Sequence, residues 1–332
     1  MMRASWAVKL RLKEQRQIRS EKIMTDQYFE TRTCCPACTC KDTKLIYQCD
    51  FLSEPIKAYL NLKFSPDVLL YFENEAYILR KCKDCDLIYQ ERVFNEAGLS
   101  LLYNKWLFEG DKEEFDVAES TFKRFLYYSQ ELLTIAKLFN KDIKDIKLLD
   151  YGMGKGQWCS VARDMGYDVT GTEVSDDLLE NGKSLGLKVE PLSDFAKNKY
   201  DLINTEQVFE HLSKPLDVLT QLKSALEPGG IVKISVPYGT NVDKRIPSMD
   251  WAVPRSHRNF LIPITPAAHV NTYSQKSIIK MGEKLGFKPV TPSIFSEYSL
   301  ISAITFKDFL KSIGRPVYRR YKKVTYVFLK MS

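Results

Sequence analysis

The segment Asp150-Tyr-Gly152-Met-Gly154-Lys-Gly156 limits the possible folds more tightly than any other part of this 332-residue chain. It follows an apolar run (Ile146, Leu148, Leu149) and precedes a helical stretch from Gln157 to Met165. The pattern predicts a strand, a tight glycine turn and a helix start. Glycine has no Cβ, so the backbone can bend sharply there and let a ligand approach within van der Waals distance. A helix start behind the turn points N–H donors at whatever binds.

Spacing narrows the ligand. A dinucleotide fingerprint G-x-G-x-x-G would need its last glycine at position 157 or 159, where Gln157 and Cys159 stand. No G-K-[ST] follows, so the phosphate-cradling P-loop fails as well. Tyr167-Asp-Val-Thr-Gly-Thr-Glu173 reads as a second strand ending in an acid, 23 residues after Asp150. In doubly wound folds a carboxylate near that distance accepts hydrogen bonds from ribose hydroxyls. Ser175-Asp176-Asp177 caps a helix that Gly186 stops, and Tyr200 to Thr205 is a third buried strand. A helix over Leu216–Leu226, a Pro228-Gly229-Gly230 turn and a strand Ile231–Val236 follow. Strands alternating with helices predict an α/β fold, a doubly wound Rossmann-like parallel sheet covered on both faces. The stretch Ser120–Asn140 should pack on that sheet as an additional helix.

Taken together, the glycine loop, the acid after strand two, "YDLINTEQVFEHL" and "ALEPGGIVKISVPY" resemble the class I S-adenosylmethionine-dependent methyltransferases. The likeness covers about Lys147 to Tyr238 and points to the branch that methylates ubiquinone precursors and sugars. The resemblance implies S-adenosylmethionine as cofactor. Asp150, Gly152, Gly154, Gly156 and Gln157 would line its methionine part, and Glu173 would hold the ribose hydroxyls. Asp194 would lie at the adenine face, and Thr205 after the third strand near the adenine or the methyl. Methyl transfer asks the protein mainly to align acceptor, methyl and sulfur and to exclude water.

A hydroxyl acceptor is helped by a general base, and histidine suits neutral pH. The chain has three histidines, of which His211 and His269 fall in motif segments: Glu210-His211 after the third strand, and His269-Val-Asn271-Thr-Tyr273 after a proline-rich loop. Either could instead fix a loop by hydrogen bonds. Some related enzymes bind a divalent metal through E-x-x-E-H; here Gln207 replaces the first acid, which argues against a second metal site. The loop from Asp250 to Pro266 is long enough to be a lid or a substrate wall, with Trp251, Arg255 and Arg258 as candidates for a sugar face and a diphosphate.

Cys35-Pro-Ala-Cys38 and Cys82-Lys-Asp-Cys85 form two C-x-x-C knuckles, a set suited to structural Zn²⁺ in a zinc-ribbon-like module. The 43-residue gap requires an inserted sub-element between about Asp50 and Glu75. Cys34 could replace Cys35, and a redox-active thiol pair or no metal at all remain open. Eight cysteines without a signal peptide point to a reducing cytoplasm, and no apolar run is long enough to span a membrane. The net charge of +7 is concentrated in residues 1–24, which hold seven basic and two acidic side chains, so the body is close to neutral. That weakens a nucleic-acid partner. A second basic run (Lys307, Lys311, Arg315, Arg319, Arg320, Lys322, Lys323) interleaves with apolar residues at helical spacing. It reads as a solvated helix face, or as a rim attracting a nucleotide sugar or a lipid-linked glycan.

The expected organisation is a basic tail (1–28), a zinc-binding module (29–112) and a methyltransferase domain (113–332). The expected reaction is methyl transfer to a small-molecule acceptor, a hydroxyl of an activated sugar or polysaccharide unit. The alternatives are an RNA or other nucleic-acid methyltransferase and a non-catalytic zinc-organised binding protein.

Overall fold

A computed structural model describes residues 27–106, 119–139, 141–293, 305–321 and 326–332. The basic stretch 1–26 and the expected boundary at 112/113 lie outside the described residues. In chain order the elements are β1 (Phe29–Thr31), β2 (Thr43–Asp50), α1 (Ile56–Lys63), α2 (Val68–Tyr71), β3 (Ala76–Cys82), β4 (Ile88–Gln90), β5 (Arg92–Phe94) and α3 (Glu96–Leu101). After these come α4 (Glu119–Ala136), β6 (Lys147–Tyr151), α5 (Gln157–Asp164), β7 (Asp168–Glu173), α6 (Asp176–Ser184) and β8 (Lys188–Pro191). The chain ends with β9 (Tyr200–Glu206), α7 (Pro215–Ser224), β10 (Leu226–Ser235), β11 (Asn271–Thr272), α8 (Gln275–Lys284), β12 (Phe287–Val290), α9 (Phe306–Tyr321) and β13 (Tyr326–Met331).

Seven strands form one sheet in the order β12-β13-β10-β9-β6-β7-β8. The five central and distal strands β10, β9, β6, β7 and β8 run parallel, while β13 runs antiparallel to both its neighbours. From β6 the chain winds outward through β7 to β8, then returns to β9 on the other side. That reversal makes the carboxyl ends of β6 and β9 a topological switch point, where ligands bind in open α/β sheets. The strands at the centre are buried throughout: β9 has six of its seven residues inside. This is the doubly wound fold that the alternating apolar runs predict.

The N-terminal part builds a four-stranded sheet in the order β11-β4-β3-β2. Its edge strand, β11, comes from the far side of the sequence. Residues of the long segment after β10 also enter its core: Val242, Ile246, Met249, Trp251, Phe260, Leu261 and Ile264 pack with Phe51, Ile56, Tyr59, Tyr77 and Trp106. The segment 250–266, expected as a lid or wall, instead contributes Trp251, Phe260, Leu261 and Ile264 to the core of the N-terminal module, while Pro254 to Arg258, with Arg255, stay exposed. Trp251 is fully buried beside Tyr59 and Tyr77, so it cannot stack on a sugar.

Arg32 ties the two parts together. Its guanidinium is buried and donates to the carbonyls of Gln90 (2.9 and 2.6 Å), Val270 (2.8 Å) and Ser213 (3.4 Å), and to Asn271 Oδ1 (2.7 Å). Burial lowers its pKa to about 10, opposed by the nearby Tyr273 and Tyr89. Asn271 in turn donates to the carbonyls of Phe209 and Leu212, so the β9 loop, β11 and β4 share one hydrogen-bonded junction.

Candidate active site

The glycine turn adopts the strained geometry that only its composition permits. Gly152, Gly154 and Gly156 have φ of 78°, 54° and 72°. The first two peptide N–H groups of the turn, those of Gly152 and Met153, donate to the Thr172 carbonyl and pin the turn against β7. A Cβ on Gly152 would lie 2.7 Å from Val208 Cγ2, so the loop after β9 sits directly on the turn. A Cβ on Gly154 would meet nothing within 4 Å: the apex faces open space. Beside that opening, Glu173 Oε2 accepts the Gly154 N–H at 3.0 Å, while its Oε1 accepts from Val174 N at 2.7 Å. The turn and the acid 19 residues beyond Gly154 are thus joined at the switch point.

The other predicted cofactor residues divide. Gln157 opens α5 at the turn and accepts from Arg124 of α4 at 2.6 Å. Asp194 follows β8 at the same edge, partly exposed, and is held by Lys197 and Ser193, which lower its pKa. Asp150 is buried, with Asn204 donating to one oxygen (2.8 Å) and Cys159 Sγ to the other (3.5 Å). Burial raises its carboxyl to about 7 despite those bonds. Its side chain therefore supports the turn from within. Thr205 is fully buried and its hydroxyl donates to the Lys233 carbonyl, which turns it toward β10 and away from the crevice. In the same buried layer Lys233 reaches Glu131, Asn204 and Glu206 at 2.7 to 2.9 Å. Burial opposes its charge, yet the two carboxylates keep it protonated.

Across the Val208 contact lies the histidine pair. His211 closes the short 3₁₀ turn after β9 and His269 precedes β11; their rings meet edge to face with centroids 4.7 Å apart. His211 Nδ1 donates to Ala268 O (2.9 Å) and His269 Nδ1 to Ile262 O (2.5 Å). A carbonyl can only accept, so Nδ1 carries the proton in both rings and the lone pair is on Nε2. Desolvation lowers the two pKa values to about 4 and about 3, so both rings are neutral. Glu210, the acid beside His211 in the interrupted E-x-x-E-H pattern, is the third member: ligand atoms of Glu210, His211 and His269 lie within 4.8 Å of one another. Both its carboxylate oxygens are buried with no hydrogen-bond partner, and burial raises its pKa to about 8. Its sequence signal was its place as the second acid of the E-x-x-E-H pattern, which Gln207 interrupts, and the third donor, His269, arrives from 59 residues away.

The four cysteines converge as well. Cys35, Cys38, Cys82 and Cys85 are buried with their sulfurs within 4.8 Å, and the Cys35–Cys85 and Cys38–Cys82 pairs are 3.5 Å apart. Four sulfurs about 2.3 Å from one tetrahedral Zn²⁺ would be about 3.8 Å apart, so the donor set and spacing fit that ion. Burial pushes Cys38 up to about 12, and the hydrogen bond with Cys35 together with burial raises Cys85. Such thiols shed their protons together only around a cation. Cys34 lies outside this set and is half-buried.

A family profile described as "Methyltransferase domain" matches residues 123–291, half of the chain. The chain belongs to this family. Among curated relatives of this methyltransferase, the ubiquinone biosynthesis O-methyltransferase of Actinobacillus pleuropneumoniae serotype 5b (strain L20) is 29% identical over 104 residues, covering 27% of this chain and 44% of the relative. That of Idiomarina loihiensis is 24% identical over 156 residues, 42% of this chain and 58% of the relative. The chain spans about half the length of the curated relatives it matches. Among solved structures, the plantazolicin methyltransferase BpumL in complex with a monoazolic desmethylPZN analog and SAH gives a TM-score of 0.42 at 18% identity, over 71% of this chain and 91% of that one. Magnesium protoporphyrin IX methyltransferase from Synechocystis PCC 6803 with bound SAH gives 0.44 at 14%, over 72% and 100%.

Proposed function

We propose that this methyltransferase transfers the methyl group of S-adenosylmethionine to a hydroxyl of a small-molecule acceptor, with an activated sugar or polysaccharide unit as the specific class. The observation that carries the reading is the glycine turn whose apex is open and whose N–H reaches Glu173. Gly152 to Gly156 would cradle the methionine part and Glu173 the ribose hydroxyls. The hydroxyl class is supported by the O-methyltransferase names of the curated relatives and by two neutral rings on the neighbouring loop. The bound cofactor supplies an electrophilic methyl carbon. Val208, packed on Gly152, sets the His211 loop against the cofactor turn. A histidine Nε2 would take the hydroxyl proton as the oxygen bonds to the methyl carbon and the carbon–sulfur bond breaks, the thioether S-adenosylhomocysteine leaving, and the Nδ1–H···O=C bonds would hold each ring in the accepting tautomer. Zn²⁺ on the four cysteines would have a structural role, since four thiolates leave no open coordination position.

A second reading concerns the same cluster. The unpartnered Glu210 carboxylate beside two imidazoles is also a donor set for a divalent cation, which would lower the pKa of a coordinated hydroxyl. The cluster forms without the acid that Gln207 replaces, because His269 supplies a third donor.

Calorimetry with S-adenosylmethionine tests the main reading. Micromolar binding that Gly154→Asp abolishes is expected, and unchanged affinity in the variant defeats the assignment. His211→Asn and His269→Asn should leave that affinity intact while lowering kcat by about 10²-fold or more. Complete loss of turnover in a chelator, restored by a divalent salt, would favour the cation at Glu210.

A further inference from the structure

We propose that α9 is an interfacial helix that docks this methyltransferase on an anionic phospholipid surface. The sequence pattern predicts an amphipathic helix here, and an ordinary one buries its apolar stripe. This helix does the reverse. Phe306, Leu310 and Ile313, spaced i, i+4 and i+7, are 76, 53 and 38% exposed, whereas Ser312 is 5% exposed with its hydroxyl donating to the Phe309 carbonyl. Lys307 and Lys311, on the same two turns, are exposed too. Over 305–323 the sequence holds seven basic residues (Lys307, Lys311, Arg315, Arg319, Arg320, Lys322, Lys323) against one acid, Asp308.

Topology says where this helix stands. β13 begins at Tyr326 opposite Ser235, the last residue of β10, and β12 ends at Val290 opposite Phe328. The connection that carries α9 therefore leaves and rejoins the sheet at the edge where the parallel strands end, the edge of the glycine turn. Other exposed large apolar side chains lie at that edge: Val174 directly follows β7, and Tyr238 follows β10. Phe122 and Phe125 flank Arg124, which reaches Gln157 at the turn.

Charge decides the occupant. A second copy would bring two lysine-rich stripes together and repel, whereas an anionic bilayer complements the lysines while its acyl boundary takes up Phe306, Leu310 and Ile313. Among the described residues no helix is long and apolar enough to cross a membrane, so the attachment is peripheral. A surface-docked α9 would turn the mouth of the crevice toward the bilayer.

Vesicle flotation with the full chain tests the proposal, using phosphatidylglycerol–phosphatidylcholine (3:7) against pure phosphatidylcholine vesicles. Binding to the anionic vesicles only, reversed by 0.5 M NaCl to a large extent, is expected. Leu310→Asp should abolish it, and Lys307→Gln with Lys311→Gln should lower the partition coefficient roughly 30-fold. Both variants alter exposed positions and should keep cofactor affinity and melting temperature, which separates lost docking from lost fold or lost catalysis. Equal binding to both vesicle types, binding unchanged in Leu310→Asp, or a concentration-dependent dimer that Leu310→Asp dissociates would each overturn it.

Discussion

The glycine turn and the histidine cluster of this protein are built on opposite plans. The turn is local: Gly152 and Gly154 follow β6, Glu173 ends its parallel neighbour β7, and backbone N–H groups join the two. The histidine cluster is assembled from four distant stretches, with Arg32, Gln90, Ser213 and Asn271 holding together the loops that carry His211 and His269. A site of the first kind survives damage elsewhere as long as its sheet does. A site of the second kind depends on every segment it borrows. The thiol cluster belongs to the same dependency, since Cys35, Cys38, Cys82 and Cys85 share a core with Phe209 and Tyr273, next to both histidine segments.

The largest predicted effect exploits this. Cys82→Ser removes one of the four clustered thiols, the proposed zinc set, at the end of β3, and structural zinc sites contribute on the order of 10 kcal/mol to the folding of the elements around them. Elemental analysis should find one zinc per wild-type chain and none in the variant, with the N-terminal layer becoming the first site of proteolysis. Turnover should vanish because β11 loses its partner strand, while affinity for S-adenosylmethionine changes by no more than about threefold. Full zinc content in the variant would remove Cys82 from the ligand set; a lost cofactor site would show that the two regions are one cooperative unit.

Arg32→Met makes a smaller cut at the junction itself. It leaves the buried carbonyls of Gln90 and Ser213 without their charged donor, while Val270 O keeps the Gln90 N–H, at a cost of about 4 kcal/mol when both remain unsatisfied. Urea denaturation should show the loss, and kcat should fall more than cofactor affinity does. An unchanged denaturation midpoint would mean that water replaces the guanidinium there.

How far these regions could be read from residues alone follows the same division. The seven-residue turn, the acid after β7 and the apolar strands carry their meaning in local composition, because a buried parallel strand must be apolar and a left-handed turn must be glycine. Thr205 shows the limit even there. Its place after a strand suggested the crevice, but alternation along β9 aims its hydroxyl at Lys233. Arg32, in the unremarkable stretch Thr31-Arg-Thr33, gave no signal at all, since the carbonyls it binds are presented by backbone up to 238 residues away. Trp251 misled for a related reason: an aromatic residue in a proline-rich loop reads as a binding wall unless the loop is known to be a layer of another module's core. Glu210 needed His269 beside it before its carboxylate meant anything.

Asp150→Asn probes the local plan and should have the smallest effect of the three. Burial holds the Asp150 carboxyl near 7 in the fold, against about 3.9 when unfolded. Between those values the folded chain binds the proton and the unfolded chain releases it, so this residue stabilises the fold at low pH. That contribution is lost as pH rises through about 7. Between pH 5 and pH 7 the wild type should therefore lose about 2 kcal/mol that an amide at this position, which cannot ionise, does not lose. Asparagine can still accept from Asn204, so the turn above it should keep its shape and its cofactor affinity. Thermal melts across that range should show the variant gaining on the wild type as pH increases. Parallel pH curves would show that the Asp150 carboxyl does not change its charge across that range and would remove it as the source of the pH dependence.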